Sequence, residues 1–231
     1  MSVGSYDYNI TLLEIIASAL KTVVGDVTFI GGCTTILLVD EAAYSGVRQT
    51  EDVDIIVDVT TLVEYRKFEK LLRGLGFRED KEGPICRWYI KDGEAEITLD
   101  VMPISEEILE FSNRCYSEAI EHANIMRLPS GTEIKVVTAA HFLATKFEAF
   151  HSRGEGDYYS HDLEDIVFVL ENRKDLVKEL FDCSAELKAY FAEQAAGLLK
   201  DDFLNVLLGL VSGTGGERQI VSHLKLMRGW A

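Results

Sequence analysis

The chain has 231 residues, 47% of them apolar and 27% charged, which suits a folded protein with a sizeable core and excludes a disordered or fibrous one. Its formal net charge of -16 argues against a protein that coats nucleic acid, because phosphate neutralisation by Lys and Arg supplies most non-specific affinity. The start MSVGSYDYNI lacks the basic region and apolar core of a signal peptide, and no run of about eighteen uncharged apolar residues occurs, so a soluble cytoplasmic protein without membrane contact is expected.

From Tyr8 to Val24, Leu12, Ile15, Ile16, Ala19 and Leu20 recur at helical spacing and predict an opening amphipathic helix. Val27 to Ile30 reads as a short buried strand, stopped by Gly31-Gly32 and followed by a helical stretch from Thr34 to Ala43. Val53 to Val59 predicts a strand, and Leu62 to Leu75 a helix ended by Gly76 as its C-terminal cap. Three more strands are expected over 85–90, 94–102 and 133–137, the first two as a hairpin across Lys91-Asp92-Gly93.

After Thr138 every segment has helical periodicity, with helices expected over 139–152, 161–172, 174–181, 185–199, 203–210 and 217–228. The expected organisation is α+β: a domain over 1–137 with a mixed sheet and flanking helices, then a helical domain over 138–231. The glycine loop from Ser212 to Gly216 follows a helix rather than a strand, so it reads as a hinge and not as a dinucleotide fingerprint. Cys33, Cys86, Cys115 and Cys183 form no CxxC pair and are expected as reduced, mostly buried thiols.

The carboxylates carry the chemistry. In Glu51-Asp52-Val53-Asp54-Ile55-Ile56-Val57 strand alternation turns Asp52 and Asp54 to one face while Val53, Ile55 and Val57 face the core. Like charges held that close call for a cation, and hard divalent ions with oxygen ligands are the usual answer. In Glu96-Ile97-Thr98-Leu99-Asp100-Val101-Met102 the same alternation presents Asp100 opposite Ile97, Leu99 and Val101, so a neighbouring strand can deliver a third carboxylate. Three carboxylates with two Mg2+ ions suit in-line phosphoryl or nucleotidyl transfer. An Asp-x-Asp at a strand start is also commonly a solvated edge or a turn cap, and a Gly-Gly after a strand is commonly a tight turn; the order of the elements is what favours the functional reading. Gly31-Gly32-Cys33-Thr34-Thr35 sits between strand and helix, where backbone N–H groups and a hydroxyl can cradle phosphate.

The order strand, Gly-Gly with a nearby Thr, helix, Asp-x-Asp and a later strand Asp resembles the DNA polymerase beta-like nucleotidyltransferase superfamily over about residues 27 to 102. Within it, Arg48-x-Thr50-x-Asp52-Val53-Asp54 is similar to the AbiEii and MenT toxins of bacterial toxin–antitoxin systems, and so are Lys146-Phe147-Glu148-Ala149-Phe150, Arg153 and His161-Asp162-Leu163-Glu164-Asp165-Ile166. The resemblance implies an enzyme moving an NMP from an NTP to an acceptor hydroxyl. Asp52, Asp54 and Asp100 would be metal ligands and catalytic residues, and Gly31, Gly32, Thr34, Arg48, Lys146, Arg153 and Asp162 nucleotide-binding residues. Many of these toxins have Gly-Gly-Thr where this chain has Gly31-Gly32-Cys33-Thr34, so the phosphate hydroxyl is that of Thr34, that of Thr35, or missing. The implied acceptor is a tRNA end or a protein, and the implied inhibitor an antitoxin.

Lys146 and Arg153, seven apart on one expected helix, share a face and can meet a triphosphate or pair with nearby carboxylates. Asp162 either orients Lys146 or complements the helix dipole at the start of its helix. His161 is expected exposed rather than as a general base; Tyr158 and Tyr159 either stack on a base or anchor a loop. Two other functions fit the same residues: a small-molecule nucleotidyltransferase of the aminoglycoside-modifying kind, whose cationic acceptor suits the acidic charge, and a non-catalytic binding module with the same fold.

Overall fold

The computed structural model describes residues 5–152, 154–211 and 213–230. Two compact units divide the chain, Met1–Leu37 with Val47–Thr138 and Leu38–Gly46 with Ala139–Ala231.

In the first unit, α1 (Ser5–Leu20) turns Leu12, Leu13, Ile16 and Leu20 inward, the 3.6-residue stripe of a helix with one apolar face. By length and composition alone the stretch Asp7–Asp26 could cross a membrane; here Leu12, Leu13, Ile16 and Leu20 of that stretch are buried within the first unit. The strands are β1 (Val27–Ile30), β2 (Asp52–Val57), β3 (Arg78–Glu79), β4 (Arg87–Asp92), β5 (Ala95–Pro103), β6 (Asn124–Arg127) and β7 (Glu133–Val136). They form a seven-stranded mixed sheet in the order β3-β4-β5-β2-β1-β7-β6. β2 runs antiparallel to β1 and parallel to β5, which puts the acidic strands side by side near its centre. A short turn of helix, α2 (Thr35–Leu38), follows the glycine turn. α3 (Leu62–Leu75) begins with a capping box of Thr61 and Glu64 and ends on Gly76 at φ 100°, a left-handed cap that glycine adopts without strain. Two short helices, α4 (Glu106–Leu109) and α5 (Tyr116–Glu121), link β5 to β6. The mixed α+β class and the helical C-terminal stretch agree with the expectation.

The second unit holds α6 (Ala139–Ser152), α7 (His161–Asn172), α8 (Leu176–Phe181), α9 (Ala185–Leu198), α10 (Asp201–Leu210) and α11 (Gly216–Arg228). Phe142, Phe147, Ile166, Leu170, Phe191, Phe203, Ile220 and Leu224 are fully buried and form its core. Serine hydroxyls cap two helix starts: Ser160 accepts from Leu163 N–H and Ser184 from Leu187 N–H. The glycine loop before α11 is docked rather than loose. Gly213 N–H donates to Glu171 at 2.9 Å, and a Cβ at Gly216 would lie 2.1 Å from the Glu171 carboxylate.

One local expectation changes, and two strands appear where none was expected. The helix expected over 34–43 stops at Leu38, because Arg173 Nη1 takes the Leu38 carbonyl at 2.8 Å and Asp40 N–H donates to Asn172 at 3.0 Å. Those partners lie more than a hundred residues away, out of reach of any local pattern. β3 is too short to show a period, and β6 is mostly exposed on both faces, so neither carries the alternation by which a strand is read.

Candidate active site

Strand pairing decides which acidic residues meet. In the parallel β2–β5 ladder Asp52 lies opposite Thr98 and Asp54 opposite Asp100; Val53, Ile55 and Leu99 are fully buried on the other face. A one-residue slip would turn all three carboxylates into the core, so the same burial that stabilises the sheet fixes the site's register. Tyr65 on α3 donates its hydroxyl to the Val101 carbonyl at 3.1 Å, next to Asp100, and burial pushes its phenol well above the usual range.

The glycine turn closes on the same place. Ile30 pairs with Asp54 across β1 and β2, and Gly31 follows at φ 80°, ψ -176°, a conformation essentially restricted to glycine. A Cβ on Gly31 would sit 1.8 Å from Asp54 Oδ2. The carboxylate therefore fills the space a side chain at residue 31 would need, and Gly31 is required both for its backbone and for that contact. Gly32 is buried in the next turn. Thr34 is fully buried, and both its hydroxyl, at 2.8 Å, and its N–H, at 3.1 Å, donate to the Gly31 carbonyl. That hydroxyl closes the turn; among the described residues the buried Oγ1 of Thr35 has no hydrogen-bond partner. Cys33, just before Thr34, is held as a neutral thiol, burial pushing it up to about 12, with Asp54 and Asp52 adding to the shift.

Arg48 and Thr50 precede β2 in a loop that Asn9 organises. The Asn9 side chain is fully buried, donates to the Arg48 carbonyl at 2.9 Å and accepts from Thr50 N–H at 3.2 Å. Thr50 in turn donates its hydroxyl to the Asp52 carbonyl at 3.2 Å. A polar Asn within an apolar helical stripe was the one sequence signal of this role.

The side chain that no motif singled out is Arg87. Antiparallel pairing sets it opposite Asp100, and its guanidinium grips that carboxylate with both prongs, Nε to Oδ1 at 2.9 Å and Nη2 to Oδ2 at 2.7 Å. The same Nη2 reaches Asp52 Oδ2 at 3.2 Å. The hydrogen bonds that Arg87 donates to Asp100 raise its pKa beyond its already high ordinary value, so its charge is permanent. Three carboxylates against one guanidinium leave a surplus of two negative charges among these four side chains. Hard oxygen donors with that surplus fit a divalent cation such as Mg2+.

Residues of the helical unit form a separate cluster. Lys146 is 7% exposed and its ammonium lies 2.9 Å from Asp162 and 2.7 Å from Asp165, both buried. Burial alone would lower its pKa, but the charges of Asp165 and Asp162 and their hydrogen bonds outweigh it and raise it. Asp162 thus holds Lys146, one of the two roles expected for it. Arg153 lies outside the described residues. His161 is exposed and paired with Glu164 at 2.8 Å. Tyr158 stacks on Phe150 and meets Phe203 edge-on, which anchors its loop, whereas Tyr159 is exposed.

Among solved structures, the chain is similar to an antigenic nucleotidyltransferase-like protein from Paracoccidioides brasiliensis. The match has a TM-score of 0.55 and 18% identity over 90% of this chain and 95% of that one. The fold is nucleotidyltransferase-like. No protein-family description matches the sequence, and no curated protein does. In this nucleotidyltransferase-like sheet Asp52, Asp54, Asp100 and the Gly31 turn come together within the first unit, while Lys146 and Asp162 belong to the second.

Proposed function

We propose that the protein is a Mg2+-dependent nucleotidyltransferase that moves an NMP from an NTP to an acceptor hydroxyl. One observation carries the reading: the β2–β5 register sets Asp54 beside Asp100, with Asp52 on the same face and the Gly31 turn against Asp54. Asp52, Asp54 and Asp100 would hold the metal. When bound, Mg2+ neutralises charge on the transferring phosphate and lowers the pKa of the attacking hydroxyl. The glycine turn offers the donor's phosphates a backbone approach that a side chain at residue 31 would block. Arg87 brings a permanent positive charge to the same carboxylates.

The resemblance to AbiEii and MenT toxins supports the finer reading: a cytoplasmic toxin whose acceptor is a tRNA end or a protein, inhibited by an antitoxin, with Arg48, Lys146, Arg153 and Asp162 serving nucleotide binding. The net charge of -16 favours a second acceptor class, a cationic small molecule of the aminoglycoside kind.

Calorimetric titration with the four α,β-methylene nucleoside triphosphates, with and without Mg2+, tests the donor site. The expected result is binding that needs Mg2+ and disappears in Asp52→Asn and Asp54→Asn. Binding indifferent to Mg2+ and to both substitutions would overturn the reading.

A further inference from the structure

We infer that Arg87 is a built-in competitor for the metal: without nucleotide its guanidinium holds the Asp100 and Asp52 oxygens that a divalent ion would take, and it passes to the donor's phosphates when metal and triphosphate bind together. The inference rests on the reading of Asp52, Asp54 and Asp100 as metal ligands.

The geometry supports each part. Both oxygens of Asp100 accept from Arg87, at 2.9 and 2.7 Å, so a cation can reach Asp100 with full strength only if the fork lets go. Asp52 is engaged by the same nitrogen at 3.2 Å, so one side chain covers two of the three ligands. Its backbone is fixed, because Arg87 N–H donates to Pro84 at 2.9 Å, its carbonyl accepts from Asp80 N–H at 3.0 Å, and its neighbours Cys86 and Trp88 are buried. The side chain itself is 31% exposed, which leaves the guanidinium a route outward about a fixed root. A guanidinium cannot lose its charge, so a divalent ion arriving beside it is repelled and the fork must find another anion. A triphosphate entering with the ion supplies that anion in the form the planar fork binds best. The exchange makes and breaks only ionic contacts. Its consequence is order: metal alone binds weakly, and metal with nucleotide binds well.

The test compares the wild-type protein with Arg87→Gln and Arg87→Lys, using Mn2+ alone by electron paramagnetic resonance and Mg2+ with α,β-methylene triphosphates by calorimetry. Circular dichroism confirms folding, and the lysine variant carries the test should the glutamine variant not fold. Removing the competing charge-assisted fork is expected to tighten Mn2+ binding by about tenfold or more in Arg87→Gln, with Arg87→Lys between, while triphosphate binding weakens by about tenfold. A purely structural arginine would move both affinities in the same direction, and unchanged or weaker Mn2+ binding in the folded variants overturns the inference. Absence of Mn2+ binding in every form, wild type included, overturns the metal-site reading and this inference with it. Mn2+ binding by the wild type with no difference among the variants removes this inference alone.

Discussion

Gly31→Ala puts the glycine turn to a quantitative test. At φ 80° and ψ -176° residue 31 occupies a region where a non-glycine residue costs on the order of 1–3 kcal/mol. The added methyl would also lie 1.8 Å from Oδ2, 2.6 Å from Cγ and 2.9 Å from Cβ of Asp54, so the carboxylate must rotate away or the turn must shift. Because the atoms struck belong to a short side chain on a central strand, little relief is available without moving Asp54 from its place beside Asp100. At about 2–4 °C per kcal/mol for a chain of this size, the backbone contribution alone predicts a fall in Tm of roughly 2–12 °C. Scanning calorimetry measures it, and a Mn2+ titration of the same variant, still folded below its Tm, should show weakened metal binding. A variant with wild-type Tm and wild-type Mn2+ affinity would refute the reasoning, since neither the strain nor the Asp54 contact could then be real. Gly74, around which a Cβ meets nothing within 4 Å, is the matched control, and Gly74→Ala on α3 is expected to leave both quantities unharmed.

Asn9→Ala strands the Arg48 carbonyl and Thr50 N–H that its side chain satisfies, and about 2–4 kcal/mol of stability should go in urea unfolding, with donor affinity falling as the loop loosens. Lys146→Met removes the ammonium held between the buried Asp162 and Asp165 and is expected to destabilise by about 3–5 kcal/mol; Lys146→Met/Asp162→Asn/Asp165→Asn should recover much of it, and loss of transfer in that folded triple variant would show that the Lys146–Asp162–Asp165 cluster also serves the donor. Since the Lys146 pKa is raised in the folded state, its contribution is full below the unfolded value of about 10.4 and should fade only as pH rises through the folded value, visible as an alkaline limb that the triple variant lacks. His223 is the opposite case: burial lowers its pKa, so below about 6.5 the unfolded chain binds a proton the folded one refuses, and stability should fall as pH drops through that range, less so in His223→Gln.

The parts legible in the sequence are those a period or a glycine announces. Alternation around Asp52, Asp54 and Asp100 gave both strands and the shared face of each, and α3, α6 and α7 begin and end where their caps and apolar stripes place them. What no single strand contains is the pairing: that β2 and β5 are neighbours, and in a register that sets Asp54 against Asp100, is settled only when the whole sheet assembles. Arg87 was illegible for the same reason, since its meaning lies in the cross-strand residue Asp100, thirteen positions on. The break at Leu38 depends on Arg173 and Asn172 in the same way. Asn9 stood in plain view on the buried stripe of α1, and a polar residue there is the kind of local inconsistency that marks a structural or functional site.

Transfer of label from α-32P nucleoside triphosphates tests the central claim most directly, with RNA, protein and small-molecule fractions of a cell extract offered separately as acceptors in the presence of Mg2+. The account predicts that label moves to one of these fractions and that Asp54→Ala, folded by circular dichroism, abolishes the transfer. Transfer that persists at the wild-type rate in folded Asp54→Ala, or no transfer to any fraction from any of the four triphosphates, would contradict it.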